Sequence, residues 1–175
     1  MSRVRLRAYA AAAFPWICVK RYVLWPLRKR SWRSRVDDHV FLGGLLFPGD
    51  IDAIVREGVR AVISLCAEFD DPVERLAGVG IDHLHLPTRD MSPPSAGDLD
   101  RAVAFLSERT SRGERCYVHC ASGVGRSATV AACYLVRKGT SPEDAFALLR
   151  RVRPAVAMRP SQMEAVRAFA ARGGG

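Results

Sequence analysis

The run His119-Cys120-Ala121-Ser122-Gly123-Val124-Gly125-Arg126-Ser127 constrains this chain more than any other part of it. It follows an apolar stretch that reads as a strand (Cys116-Tyr117-Val118) and precedes one that reads as a helix. The glycines at 123 and 125 allow a tight curl between the two. Such a curl turns successive backbone N–H groups inward as an anion nest, and the positive end of the following helix reinforces it. Ala121, Ser122, Gly123, Val124 and Gly125 are therefore expected to cradle a phosphate, and Arg126 to grip two of its oxygens with a planar fork. Cys120 lies in the same field. Its thiol should ionise below the ordinary value of about 8.5 and act as a nucleophile at neutral pH. Ser127 can donate to that sulfur and improve it as a leaving group, or serve as a helix-start serine that satisfies backbone donors. His119 can orient the loop, or be a satisfied histidine at the end of a strand.

A phosphoester's leaving oxygen needs a proton, so a carboxylic acid has to reach the same loop. Asp90 is the first candidate. It follows a strand read over Ile81–Leu86, on the carboxyl-end rim where the loop should lie, and precedes the stiff turn Met91-Ser92-Pro93-Pro94. Asp70 and Asp71 are held in reserve, while Asp98 and Asp100 are better read as helix-start acids. A metal site built on Cys116, His119 and Cys120 competes with this reading but lacks a second ligand pair at zinc spacing. Sulfur transfer by a rhodanese-type cysteine loop competes too, but lacks a second half. The chemistry calls for no cofactor and no metal.

The Cys-x5-Arg run with its Ser127-Ala128-Thr129 continuation resembles the dual-specificity branch of the cysteine-dependent protein tyrosine phosphatases. Asp90 stands thirty residues before Cys120, as the acid does in that branch. Trp32, the run Arg35-Val36-Asp37-Asp38-His39-Val40-Phe41-Leu42-Gly43, Gly80-Ile81-Asp82-His83-Leu84, Pro87-Thr88-Arg89-Asp90 and Arg159-Pro160-Ser161-Gln162 resemble, in order and spacing, the mitochondrial-type phosphatidylglycerophosphate phosphatases of that branch. The resemblance implies an α/β protein-tyrosine-phosphatase-like fold, with a central mixed sheet flanked by helices and the phosphate loop between a strand and a helix. It implies a metal-independent phosphomonoesterase working through phosphocysteine on a phosphoprotein (Tyr, Ser or Thr) or a phospholipid, with phosphatidylglycerophosphate as the alternative substrate. A catalytically silent phosphate-binding module is the rival from another class, and the joint presence of nucleophile, arginine and acid argues against it. Ala121 and Val124 stand where the family usually carries a basic residue, which disfavours polyphosphorylated inositol lipids. Leu65-Cys66-Ala67-Glu68 resembles the strand-end cysteine with which some lipid phosphatases trap the oxidised nucleophile as a disulfide. The alternative reading of Cys66 is a small buried hydrophobe.

The 175 residues suit one catalytic domain, read over 36–172, with a glycine tail at 173–175. The formal charge of +9 belongs to an extension. Residues 1–35 hold ten Lys or Arg, no acid and all three tryptophans, which leaves 17 basic against 18 acidic residues in 36–175. The uncharged stretch Ala8 to Val19 has only 12 residues and includes Pro15, against the roughly 20 a spanning helix needs. Three readings of this arm stand: a segment lying on an anionic membrane surface, a targeting or transit signal, and a structural or disordered arm. No nucleic-acid motif accompanies its charge. Five cysteines without framework spacing suit a reducing compartment. The expected location is cytoplasmic and membrane-peripheral, or organellar if the arm is a transit peptide.

Further along, strands are expected over Val40–Gly44 and Val59–Cys66, and helices over Pro48–Glu57, from Ser95, over Arg126–Lys138 and from Ser141-Pro142. A last helix is expected with Ser161 and Glu164 at its cap.

Overall fold

The computed structural model describes residues 3–24, 27 and 31–173, with side chains from Arg7 onward. Trp25, Arg28, Lys29, Arg30, the side chains of Arg3 and Arg5, and Gly174–Gly175, all of which enter the reading of the arm and tail, lie outside the described residues.

Five strands form one mixed sheet: β1 (Arg33–Arg35), β2 (Val40–Gly43), β3 (Val59–Cys66), β4 (Asp82–Thr88) and β5 (Arg115–His119), in the order β1-β2-β5-β3-β4. Only β1 runs antiparallel to its neighbour. The other four therefore end on one rim, where Gly43, Cys66, Thr88 and His119 terminate. β3 and β5 lie inside the sheet, and their near-continuous apolar runs fit strands covered on both faces. From Ala61 onward alternation divides the residues between two cores. Ala61, Ile63, Leu65, Cys116 and Val118 face the main core, while Val62 and Tyr117 face a smaller one, which Val59 joins across a register irregularity between Val59 and Ala61.

Helices α2 (Ile51–Arg56) and α3 (Val73–Gly78) supply Ile51, Ile54 and Leu76 to the smaller core. The main core takes the apolar faces of α4 (Ala96–Ser111), α5 (Arg126–Arg137), α6 (Pro142–Val152) and α7 (Pro160–Ala171). The α5 helix is buried from Arg126 through Val136, with α4, α6 and α7 packed around it. This burial fixes the direction of its N-terminus and hence of the loop before it.

The local signals largely hold. Ser95 accepts from the Asp98 N–H at 3.1 Å and Ser141 from the Asp144 N–H at 3.2 Å, as N-cap serines do. Three limits differ. The helix expected from Pro48 divides into a 3₁₀ turn (Pro48–Asp50) and α2. The strand expected to stop at Leu86 continues through Pro87 to Thr88, because β4 is the sheet's edge and needs no donor there. The last helix starts at Pro160, and its reciprocal cap is made by Gln162 accepting from the Arg159 N–H at 2.9 Å, not by Ser161.

The described part of the arm packs against the domain. Helix α1 (Arg3–Val19) contains Pro15 and passes into a π-helical turn at Lys20–Leu24. Ile17 is buried in the main core, and the Phe14 ring lies 5.9 Å from Phe47 and 6.1 Å from Phe69. Arg21 pairs with Asp50 and stacks on Phe47, Tyr22 and Trp32, 4.6–5.4 Å from their ring centres. Among the described residues no helix is long and apolar enough to cross a membrane.

Candidate active site

The loop from Cys120 to Gly125 sits at the rim where β5 ends and α5 begins. Its two glycines act differently. Gly123 has φ +66°, the left-handed region expected of a tight curl, and a Cβ there would also strike the Gly43 backbone and Arg153. Gly125 has φ −124°, which any residue can adopt. Its smallness matters because Gln162 packs against it, so that a Cβ would come within 2.8 Å of the amide oxygen. Gly125 caps α5 without a side-chain hydrogen bond, which leaves the first N–H groups of the helix to the loop and whatever binds in it.

Cys120 is only 3% exposed and lines the floor of a cleft of about 270 Å³. Burial by itself would raise its pKa. The Arg126 charge, the Ser127 hydroxyl (Oγ to Sγ 3.3 Å) and backbone hydrogen bonds at Ser127 and Val124 outweigh it and bring the thiol down to about 7. The rate of Cys120 alkylation by iodoacetamide should therefore rise with pH through a midpoint near 7. In Ser127→Ala that midpoint should move upward, because one stabiliser of the thiolate is gone. Identical alkylation profiles for the two proteins would remove Ser127 from the thiolate's support.

The Arg126 guanidinium is buried beneath the cleft and held in several directions. Nη1 donates to Thr88 O and Glu68 Oε2, both at 2.8 Å, and to Leu65 O at 3.2 Å. Nη2 donates to Glu68 Oε1 at 2.6 Å and meets Asp90 Oδ1 at 3.0 Å. Burial works to lower its pKa, but the Glu68 hydrogen bonds and the Cys120 charge raise it further, so the cation is permanent. Asp90, the acid expected from sequence, does reach the cleft. It sits on a turn whose next residue, Met91, has φ +64°, an uncommon conformation for a side chain of that size. Several contacts hold that turn: Asp90 with Arg126, Gln162 Nε2 donating to Ser92 O at 3.1 Å, and Tyr9 of α1 donating its hydroxyl to Asp90 Oδ2 at 2.6 Å. The last bond, with burial, pushes the Tyr9 phenol up to about 12.

Other sequence-derived assignments change. Asp71 does not line the cleft. Its carboxylate is fully buried, and Oδ2 faces His83 Nε2 at 2.7 Å and His119 Nε2 at 3.0 Å. Burial opposes its charge, yet the two imidazoles hold its pKa well below the usual carboxylate range. His119, read either as orienting the loop or as a satisfied histidine at the end of a strand, hydrogen-bonds to Asp71 and stacks on Tyr117 at 5.5 Å. Asp70 also lies off the cleft. Cys66 is buried at the end of β3. Ser64 pairs in register with His119, so Cys66 and Cys120 lie just beyond the paired ends of adjoining strands. Burial pushes the Cys66 thiol well up, against the pull of Arg126. Among the described residues no three His, Cys, Asp or Glu are placed to share a metal ion.

Sequence reading missed three supports. Glu68 pairs with Arg126. Gln162 packs against Gly125. Arg153, buried below the loop, donates Nε to Gly123 O at 2.7 Å and Nη2 to Ser122 O at 3.2 Å. By engaging the loop carbonyls from below, Arg153 leaves the loop N–H groups facing the cleft, and burial brings its own pKa down to about 10. The only sequence signal for it was an arginine after an amphipathic helix, which does not separate it from a surface residue.

The dual specificity phosphatase catalytic domain family matches residues 52–172. The phosphatidylglycerophosphate phosphatase PTPMT1 of Arabidopsis thaliana is 37% identical over 139 residues, 77% of this chain and 41% of that protein. The phosphatidylglycerophosphatase and protein-tyrosine phosphatase 1 of Rattus norvegicus is 35% identical over 148 residues, 80% of this chain and 77% of that protein. A crystal structure of PTPMT1 in complex with PI(5)P superposes with a TM-score of 0.77 at 30% identity, covering 81% of this chain and 96% of that one. The matches span less than two thirds of the two Arabidopsis relatives, 41% and 62% of their lengths.

Proposed function

The chain belongs to the dual specificity phosphatase family, and from that premise we propose that it is a cysteine-dependent phosphomonoesterase acting on a phospholipid monoester at an anionic membrane surface. One observation carries the chemistry: a thiol with pKa near 7, a fixed guanidinium and a carboxylate converge on one cleft floored by a backbone anion nest.

The phosphate binds the loop N–H groups and Arg126, taking the Nη2 donor that Asp90 otherwise contacts. The Cys120 thiolate attacks phosphorus. The S–P bond forms as the P–O bond to the leaving group breaks, and Asp90, released toward that oxygen, supplies its proton. Water then attacks the phosphocysteine. Asp90 takes the water's proton, and Ser127 donates to the departing sulfur as the S–P bond breaks. Phosphate leaves, and the thiolate is restored without metal or cofactor.

Two features support a lipid over a phosphopeptide. Relatives similar to most of this chain are named for phosphatidylglycerophosphate, and a structural neighbour was solved with a phosphoinositide. The cleft is also rimmed by exposed apolar side chains, Trp16 and Met91, with Tyr22, Val23 and Leu27 exposed just beyond on the arm. Aromatic and cationic residues mixed in this way suit an anionic bilayer surface.

The test measures phosphate release from phosphatidylglycerophosphate in vesicles and from a phosphotyrosine peptide, with Cys120→Ser as blank. The lipid should be preferred at least about tenfold in kcat/KM, a margin of roughly 1.4 kcal/mol. Tyr22→Ser with Leu27→Ser should reduce sedimentation with anionic vesicles and leave peptide turnover unchanged. Preference for the peptide would make this a protein phosphatase, and turnover of neither above the blank would make it a phosphate-binding module.

A further inference from the structure

We propose that Tyr9 of the N-terminal arm is a positioning residue for the acid Asp90: it anchors one carboxyl oxygen so that the other can deliver the proton to the leaving group. This rests on the phosphatase reading above and adds helix α1 to the working parts of the same site.

One face of α1 lies along the cleft. Tyr9, Ala13, Trp16 and Ile17 line it, at the four- and three-residue spacing that stacks side chains on one side of a helix. The helix is held in place beyond Tyr9. Ile17 is buried in the main core, the Phe14 ring packs beside Phe47 and Phe69, and Arg21 pairs with Asp50. A docked helix thus carries Tyr9 to the rim where Asp90 stands.

Asp90 needs such an anchor. Its carboxylate has two polar partners among the described residues: Oδ1 meets Arg126 Nη2 at 3.0 Å, and Oδ2 accepts from the Tyr9 hydroxyl at 2.6 Å. The first is lost in the reaction, because the substrate phosphate takes the Arg126 donor. The contacts of Gln162 with Ser92 O and of Arg159 with Met91 Sδ steady the turn but not the Asp90 side chain itself. That side chain is 34% exposed, so once released from Arg126 it would rotate into water if nothing else held it. Of its two partners, Tyr9 is the one that stays.

The division of the oxygens sets the sense of the contact. Oδ1 lies on the side of Arg126, where the phosphate is gripped, so it is the oxygen that faces the leaving group. Tyr9 is on Oδ2 and therefore backs the acid rather than blocking it. As the P–O bond breaks, the proton on Oδ1 passes to the leaving oxygen and negative charge spreads over the carboxylate. The Tyr9 hydrogen bond to Oδ2 becomes charge-assisted and strengthens. It then stabilises the transition state more than the ground state. The phenol remains a donor throughout the neutral range, since its hydrogen bond to Asp90 and burial push it up to about 12.

The test compares kcat/KM of the full chain for phenyl phosphate and p-nitrophenyl phosphate, which are similar in shape but differ in how much the leaving oxygen needs a proton. Both are soluble, so docking of the arm on a membrane does not enter, and kcat/KM covers the steps only as far as departure of the leaving group. Tyr9→Phe keeps the ring and removes the donor. It should slow phenyl phosphate about tenfold, the scale of one hydrogen bond to a charged group, and p-nitrophenyl phosphate far less. In an Asp90→Asn background the same change should leave the ratio of the two substrates where it was, because no acid remains to be positioned. No loss, equal losses on both substrates, or the same selective loss in the Asp90→Asn background would mean that Tyr9 does not act through the acid. Faster turnover by Tyr9→Phe would mean that the arm restrains Asp90. Each of these results overturns the proposal while turnover by the unaltered protein leaves the phosphatase reading standing. No turnover of either substrate above the Cys120→Ser blank would remove the phosphatase reading and the role of Tyr9 with it.

Discussion

Replacing Cys120 with serine is expected to lower kcat/KM by at least about 10⁴-fold, the scale on which loss of an enzymic nucleophile is felt, with the melting temperature almost unchanged. The two outcomes share a physical origin. The site brings a thiol down to about 7 through Arg126, Ser127 and two backbone hydrogen bonds, against the opposing effect of burial. A serine hydroxyl starts several units higher, so the same field leaves it protonated and unreactive at neutral pH. The hydroxyl can still accept from the loop and from Ser127, so nothing buried loses its partner and the packing persists. Phosphate binding should survive as well, because the loop N–H groups and Arg126 are untouched, and calorimetry with orthophosphate would show it. Asp90→Asn belongs in the same assays. It should slow an alkyl phosphate by about 10²–10⁴-fold and p-nitrophenyl phosphate far less, since only the poor leaving group needs the proton. Substantial turnover by Cys120→Ser would rule out a phosphocysteine intermediate.

Arg126→Lys should reduce kcat/KM by about 10³-fold and also destabilise the fold by roughly 2–4 kcal/mol. The Arg126 and Glu68 side chains are each only 2% exposed, and the guanidinium satisfies both Glu68 oxygens and two backbone carbonyls, from Leu65 and Thr88. A lysine ammonium offers a single point of donation. It cannot hold a carboxylate in two places, carry Leu65 and Thr88, and still reach a phosphate. The coupling has a direct check. Adding Glu68→Gln to Arg126→Lys should recover much of the lost stability, because the underpaired buried charge is gone, and should recover none of the lost activity. Urea denaturation of the single and double variants measures the first, and turnover of p-nitrophenyl phosphate the second. A single variant as stable as the unaltered protein would mean that Glu68 does not depend on Arg126.

The residues that were legible from sequence share a property. The nest, its cysteine and its arginine span seven positions, and their geometry follows from backbone rules that act within one turn. The same holds for the Ser95 and Ser141 caps and for the apolar run of β3. Asp90 was legible for a related reason, because its place depends on where β4 ends relative to β5 on a parallel sheet. Gly125 shows the limit. The sequence pointed to the right residue for a conformational reason, whereas the structure requires it for the approach of Gln162.

By itself, then, the sequence determined the α/β layering and picked out Cys120, Arg126 and Asp90, which the structure brings to one cleft, since their placement arises from local chain geometry and strand order. The tertiary structure alone decided what surrounds them. Glu68 meets Arg126 across 58 residues, Arg153 reaches under the loop across 30, and Tyr9 brings the arm to Asp90 across 81. In the sequence each of these is one charged or aromatic residue among many. Its partner is selected by which elements pack together, and packing is set by the whole apolar core rather than by any segment's own pattern.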